Sequence, residues 1–160
     1  MKRLAVTLAA AIVAVAATSA RADNSMGSSM HPMGPMKTTI VTPSTIKWVP
    51  GSGDMKGFTV AYLDGDPSKS GPWTVRIKVP GGTKFPVHYH NDTERVTVIS
   101  GTFAAALGNT YYPSKLVSLP AGSYIVIPAG VRHYAMARTD VVLQLSGTAM
   151  FAMKMDKGSM

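Results

Sequence analysis

The sequence predicts an all-β domain of antiparallel strands, a sandwich or a barrel, on three observations. Short β-branched and aromatic runs recur roughly every ten residues from Thr38 onward, parted by Gly, Pro, Asn and Asp. No stretch carries a helical period over three turns. Trp73-Thr-Val-Arg-Ile-Lys-Val79 alternates strictly, with Trp73, Val75, Ile77 and Val79 on one face and Thr74, Arg76 and Lys78 on the other. A strand apolar on one face and polar on the other belongs in an antiparallel sheet with one wet side.

The elements follow in chain order. Residues 1–22 read as a secretory signal peptide: Lys2 and Arg3, an apolar stretch from Leu4 to Ala17, then Ala20-Arg21-Ala22 as a small-x-small cleavage signal before Asp23. The apolar stretch is shorter than the roughly 20 residues that span hydrocarbon. A cleaved leader is therefore expected, with a periplasmic or secreted product and no membrane partner. Residues 23–36 hold Gly, Ser, Pro and Met without apolar period and read as a flexible tether. There Met26, Met30, His31, Met33 and Met36 also offer soft donors suited to Cu(I). Residues 37–155 form the one domain, since a chain of 160 residues is too short for two ordinary ones. Strands are expected at Thr45–Val49, Phe58–Tyr62, Trp73–Val79, Arg95–Ile99, Thr102–Leu107, Lys115–Leu119, Ser123–Ile127, Val141–Leu145 and Ala149–Met153, with Ser100-Gly101 as a tight hairpin.

Composition excludes much chemistry. With no cysteine, disulfides, thiolate metal sites, cysteine nucleophiles and Cys-linked lipid anchors are ruled out. Of the net charge of +8, Lys2, Arg3 and Arg21 belong to the leader, which leaves 13 basic against 8 acidic residues, or +5. The remaining Lys and Arg are dispersed, so they read as a solvated surface and no nucleic-acid partner is expected.

The four histidines are His31, His88, His90 and His133, and the one glutamate is Glu94. On a strand His88 and His90 share a face about 7 Å apart, close enough for two imidazoles to lean onto one cation. Glu94 follows after Asn91-Asp92-Thr93, a polar turn that brings the next strand alongside and leaves Asp92 solvated. His133 arrives from a distant strand after the Pro128-Ala-Gly130 turn. Three imidazoles and a carboxylate bounded by glycines in a β context point to a metal.

These residues resemble a known family. Gly82-x5-His88-x-His90-x3-Glu94-x6-Gly101 and Gly122-x5-Pro128-x-Gly130-x2-His133 are similar to the two motifs of the cupin superfamily, and the stretches DGDPSKSGPWTVRIKVPGG and ERVTVISGTF resemble small single-domain bacterial cupins of the ChrR-like group. The resemblance covers roughly Lys47 to Met153. It implies a double-stranded β-helix, the cupin jelly-roll barrel, with one divalent transition metal (Fe, Mn, Ni, Cu or Zn) held by His88, His90, Glu94 and His133. One departure is Ala137, where the second motif often ends in Asn. The resemblance also implies a homodimer, with Thr38–Val49 as an added or swapped edge strand.

Such a centre leaves open positions for an enol, a carboxylate or a catechol-like oxygen pair, which suits Lewis-acid or oxygenase chemistry on a small molecule. Glu94 is the candidate proton shuttle as well as a ligand. Gln144, the one amide in Val141–Leu145, orients a substrate if it faces the interior; the other reading places it outward on an edge strand. Tyr89 and Tyr134 alternate away from the ligating histidines and read as packing or rim residues. A barrel that binds metal without turnover is the alternative function, because one scaffold hosts many. An open channel with Gln144 pointing at the metal favours the enzyme, and a barrel plugged by Phe103 or Met136 favours a binding or structural role.

Overall fold

The computed structural model describes residues 38–155. The expected leader (1–22), the Met-rich tether (23–36) and His31 lie outside the described residues. Eleven strands follow in order: β1 (Val49–Pro50), β2 (Thr59–Asp64), β3 (Trp73–Val79), β4 (Lys84–His90), β5 (Glu94–Ser100), β6 (Thr102–Leu107), β7 (Val117–Pro120), β8 (Tyr124–Ile127), β9 (His133–Ala137), β10 (Val141–Gly147) and β11 (Met153–Met155). The helical elements among the described residues are two short 3-10 turns, Gly53–Met55 and Pro113–Lys115.

The strands form two antiparallel sheets, β1-β2-β3-β10-β5-β8 and β11-β4-β9-β6-β7. Their inner faces meet over one core that includes Trp73, Val75, Ile77, Val96, Leu143 and Leu145. The fold is the double-stranded β-helix that the cupin resemblance implies, within the antiparallel class that the strand pattern predicts. Alternation does the sorting: β3 buries Trp73, Val75, Ile77 and Val79, while Thr74, Arg76 and Lys78 look outward.

Four local expectations are corrected. Ser100-Gly101 makes no hairpin, because β5 and β6 lie in different sheets and the pair turns the chain across the barrel corner. Gly101 has φ +77°, and a Cβ there would run into the carbonyl of Asp140, so the corner demands glycine. Thr45–Val49 is a strand only at its end, since Pro43 and the hydroxyls of Thr42 and Thr45 build a turn upstream, with Thr42 N–H donating to Thr45 Oγ1 at 2.9 Å. Lys115–Leu119 begins as a 3-10 turn nucleated by Pro113. Ala149–Met153 pairs late, because side chains take the backbone groups of residues 148–152 before a ladder can. Asp92 Oδ2 accepts from the N–H of Thr148 at 2.7 Å and of Ala149 at 2.8 Å; Asn91 Oδ1 accepts from Ala152 N–H at 2.8 Å. Trp73 Nε1–H donates to the Ala149 carbonyl at 2.7 Å and Asn91 Nδ2 to that of Met150 at 2.6 Å.

Candidate metal centre

The centre starts from a fault in a ladder. Between β4 and β9 the register runs Phe85 opposite Ala135, then His88 opposite His133, three residues against two. The extra residue is a β-bulge at Pro86-Val87, where Pro86 has no N–H to lose from the ladder. The bulge turns His88 and Phe85 to the same interior, although their odd spacing would otherwise put them on opposite faces. His90 continues the alternation, His133 stands across from His88, and β5 opens with Glu94 facing them from the other sheet.

The four side chains are buried, with 4, 4, 8 and 2% of the surface of His88, His90, Glu94 and His133 exposed. Ring centroids of His88 and His133 are 4.1 Å apart, and those of His88 and His90 5.0 Å. Each histidine hands its Nδ1 to a backbone carbonyl: His88 to Pro86 at 2.7 Å, His133 to Val131 at 3.0 Å and His90 to Ala152 at 3.3 Å. A carbonyl only accepts, so each Nδ1 donates its proton there, and Nε2 is the atom that each ring turns inward. Ligand atoms of the three histidines lie within 4.8 Å of one another, near the roughly 3–4 Å that nitrogens bound at 2.0–2.1 Å to one ion span.

Glu94 Oε2 sits 3.5 Å from both His90 Nε2 and His133 Nε2, and His90 Nε2 has no hydrogen-bond partner. A buried, unpartnered imidazole nitrogen beside a carboxylate leaves a place for a proton or a cation, because an unpaired buried polar atom is costly. The residues therefore fit a metal. Electrostatics prepares them: burial pushes the His88 pKa down to about 4, aided by His133 beside it, and burial lowers that of His90 as well. For Glu94, burial pushes the pKa upward, but the hydrogen bond with His133 and the neighbouring histidines outweigh it and hold the carboxyl below its ordinary range. Neutral imidazoles and an ionised carboxylate are the protonation states that ligate.

The four residues line a cavity of about 60 Å³, otherwise walled mainly by apolar side chains such as Ile77, Phe85, Phe103, Leu143 and Leu145. Phe103 forms wall and leaves space at the centre; Met136 alternates with the inward Ala135 and Ala137 and is not part of the lining. Gln144 is not brought to the site. It alternates with Leu143 and Leu145, looks to the outer face, and accepts from Arg76 Nε–H at 3.0 Å, so an inward substrate-orienting amide is replaced by a surface pair. Tyr134 is fully buried and packs on Tyr111 on the outer side of its sheet, while Tyr89 lies under the Arg132 guanidinium.

Sequence reasoning missed three contributors. Asp92 is part-buried, contrary to the solvated turn residue expected, and pins the 148–149 backbone through the hydrogen bonds above. Phe151, on the segment so pinned, stacks on His90 with centroids 4.4 Å apart and planes at 25°. Asp54 reaches the cavity from the first 3-10 turn and accepts from Met153 N–H at 2.7 Å. The parity of Val141, Leu143 and Leu145 was the signal that Gln144 points outward.

The comparisons agree with this architecture. The model of the ChrR cupin-like domain matches residues 36–152, and the chain belongs to that family. No curated protein matches the sequence. Among solved structures, an RmlC-like cupin of Ralstonia eutropha is 20% identical with a TM-score of 0.58, covering 78% of this chain and 76% of its own. A proposed acetylacetone dioxygenase of Methylibium petroleiphilum is 17% identical with a TM-score of 0.59, over 80% and 88%. The polyketide cyclase RemF of Streptomyces resistomycificus is 16% identical with a TM-score of 0.56, over 77% and 89%. At these identities the likeness is one of fold.

Proposed function

We propose that this protein is an exported mononuclear metal cupin, with the ion held by His88, His90, His133 and Glu94, that acts on a small oxygenated molecule as a metal-dependent oxygenase or oxidoreductase. The observation that carries the reading is the convergence of the ligand nitrogens of three histidines and the Glu94 carboxylate at one buried point. A bound divalent ion, whether Fe, Mn, Ni, Cu or Zn, supplies Lewis-acid chemistry and, for the redox-active ones, electron transfer. The chain supplies the rest. Backbone carbonyls lock the imidazoles, the apolar wall keeps bulk water away, and Glu94 takes up or releases a proton at its Oε atoms. The cavity holds on the order of four waters, which suits a small oxygenated substrate. The Methylibium neighbour, which shares this fold, is itself a proposed acetylacetone dioxygenase. Export rests on the leader pattern of residues 1–22, and Ile40 and Val41, 82 and 40% exposed, offer apolar surface for a homodimer.

One observation favours the second reading, a barrel that binds metal or a small ligand without turnover. Apart from the histidines and Glu94, Asp54 is the polar side chain among the described residues lining the cavity. Oxygen uptake separates the two. Protein loaded with each metal in turn is given a panel of enols, β-diketones and catechols; uptake with at least one metal, lost in Glu94→Gln and in His133→Ala, is expected of the enzyme. Bound metal with no uptake across the panel establishes the binding barrel instead.

A further inference from the structure

Strand register puts methionines beside the histidines. In the β11–β4 ladder Met153 is the partner of His90 and Met155 the partner of His88, with Lys154 opposite Tyr89. Directly opposed residues share a face, with Cβ atoms about 4.5–5.5 Å apart. Met153 accordingly lines the same cavity as His88, His90, Glu94 and His133. A His-x-His strand is thus flanked by a Met-x-Met strand.

Packing alone accounts poorly for this segment. Methionine fills irregular gaps in cores, yet Met150 and Met155, on either side of Met153, are each 52% exposed. What a thioether offers that a leucine does not is a soft donor, and soft donors select Cu(I), whereas the Glu94 carboxylate is a hard ligand suited to divalent ions. β5 thus brings a carboxylate to the imidazoles, and β11 brings a thioether-bearing residue to the same cavity.

We propose, resting on the metal reading above, that Met153 is an additional thioether ligand that gives the His88-His90-His133 site selective affinity for Cu(I). The inference concerns binding of the reduced ion and requires no change of its oxidation state. Met155 is 52% exposed and is not part of the cavity lining, so it is not needed for equilibrium affinity.

The test uses the full chain, titrated anaerobically with Cu(I) against a chromophoric Cu(I) chelator and separately with Zn(II) against a zinc indicator. Met153→Leu is expected to weaken Cu(I) at least about tenfold while Zn(II) stays within about twofold, which also shows that the variant is folded. Met155→Leu is expected to leave both unchanged. Because Met26, Met30, Met33 and Met36 also offer thioethers, Met153→Leu is repeated on a His88→Ala background, where it is expected to have no effect on Cu(I). X-ray absorption of the Cu(I)-loaded wild type is expected to show a sulfur neighbour that Met153→Leu lacks. The proposal is overturned if Met153→Leu leaves Cu(I) affinity intact, if it weakens Cu(I) and Zn(II) alike, or if the wild type shows no sulfur neighbour. If His88→Ala binds both metals as the wild type does, the metal reading itself falls and this inference falls with it.

Discussion

The two inner walls of the barrel are built to different rules. The wall from β3, β5 and β10 is aliphatic, with Ile77, Val96, Leu143 and Leu145 closing the core, and Glu94 at its margin. The facing wall from β4 and β9 carries His88, His90 and His133. The aliphatic wall needs volume and period-two placement, and several combinations of Val, Ile and Leu would fill it. The imidazole wall needs named atoms in fixed orientations, so each ring is tied down through its Nδ1 and one sits on a bulge. Fold and chemistry are thus separable here: one wall holds the barrel together, the other costs stability through buried polar groups and gains a site.

That separation can be broken from either side. The largest effect on stability is expected on the aliphatic wall. Leu143→Ala removes a nearly fully buried side chain and should lower unfolding free energy by about 2–5 kcal/mol, read by urea denaturation, with metal stoichiometry unchanged below the transition. Loss of metal without loss of stability would mean that the walls are not separable.

A smaller effect comes from the segment that bridges the two. Asp92 receives the N–H groups of Thr93, Thr148 and Ala149, and these interactions hold its carboxyl below the ordinary range in spite of the opposing pull of burial. Asp92→Ala removes a charged acceptor from these three donors and should cost about 1–3 kcal/mol. It also loosens the segment that stacks Phe151 on His90 and supplies the Ala152 carbonyl, so metal affinity should fall about tenfold, measured by competition with a chelator. A stability loss with unchanged metal affinity would show that His90 keeps its orientation without this support.

What the sequence made legible follows from parity. His88 and His90, two apart, had to share a face, and the motif spacing brought Glu94 and His133 to them; the alternating strands, above all β3, announced an antiparallel barrel. What was hidden breaks parity or local periodicity. The bulge at Pro86-Val87 places Phe85 beside His88 against simple alternation, and only the paired strand reveals it. Residues 148–152 carry strand-like composition but have their backbone groups satisfied by Asn91, Asp92 and Trp73, partners more than fifty positions away. Ser100-Gly101 has the composition of a hairpin and serves as a corner, because which sheet a strand joins is decided by tertiary pairing. Gln144 stands apart: its apolar neighbours at odd positions already placed it outward.

The most direct test of the account is metal stoichiometry after loading and desalting, by elemental analysis and native mass spectrometry on the wild type and on His133→Ala. The account predicts about one divalent ion per chain for the wild type and a near-complete loss for His133→Ala, with far-ultraviolet circular dichroism unchanged. Equal metal content in the folded variant and the wild type would contradict it.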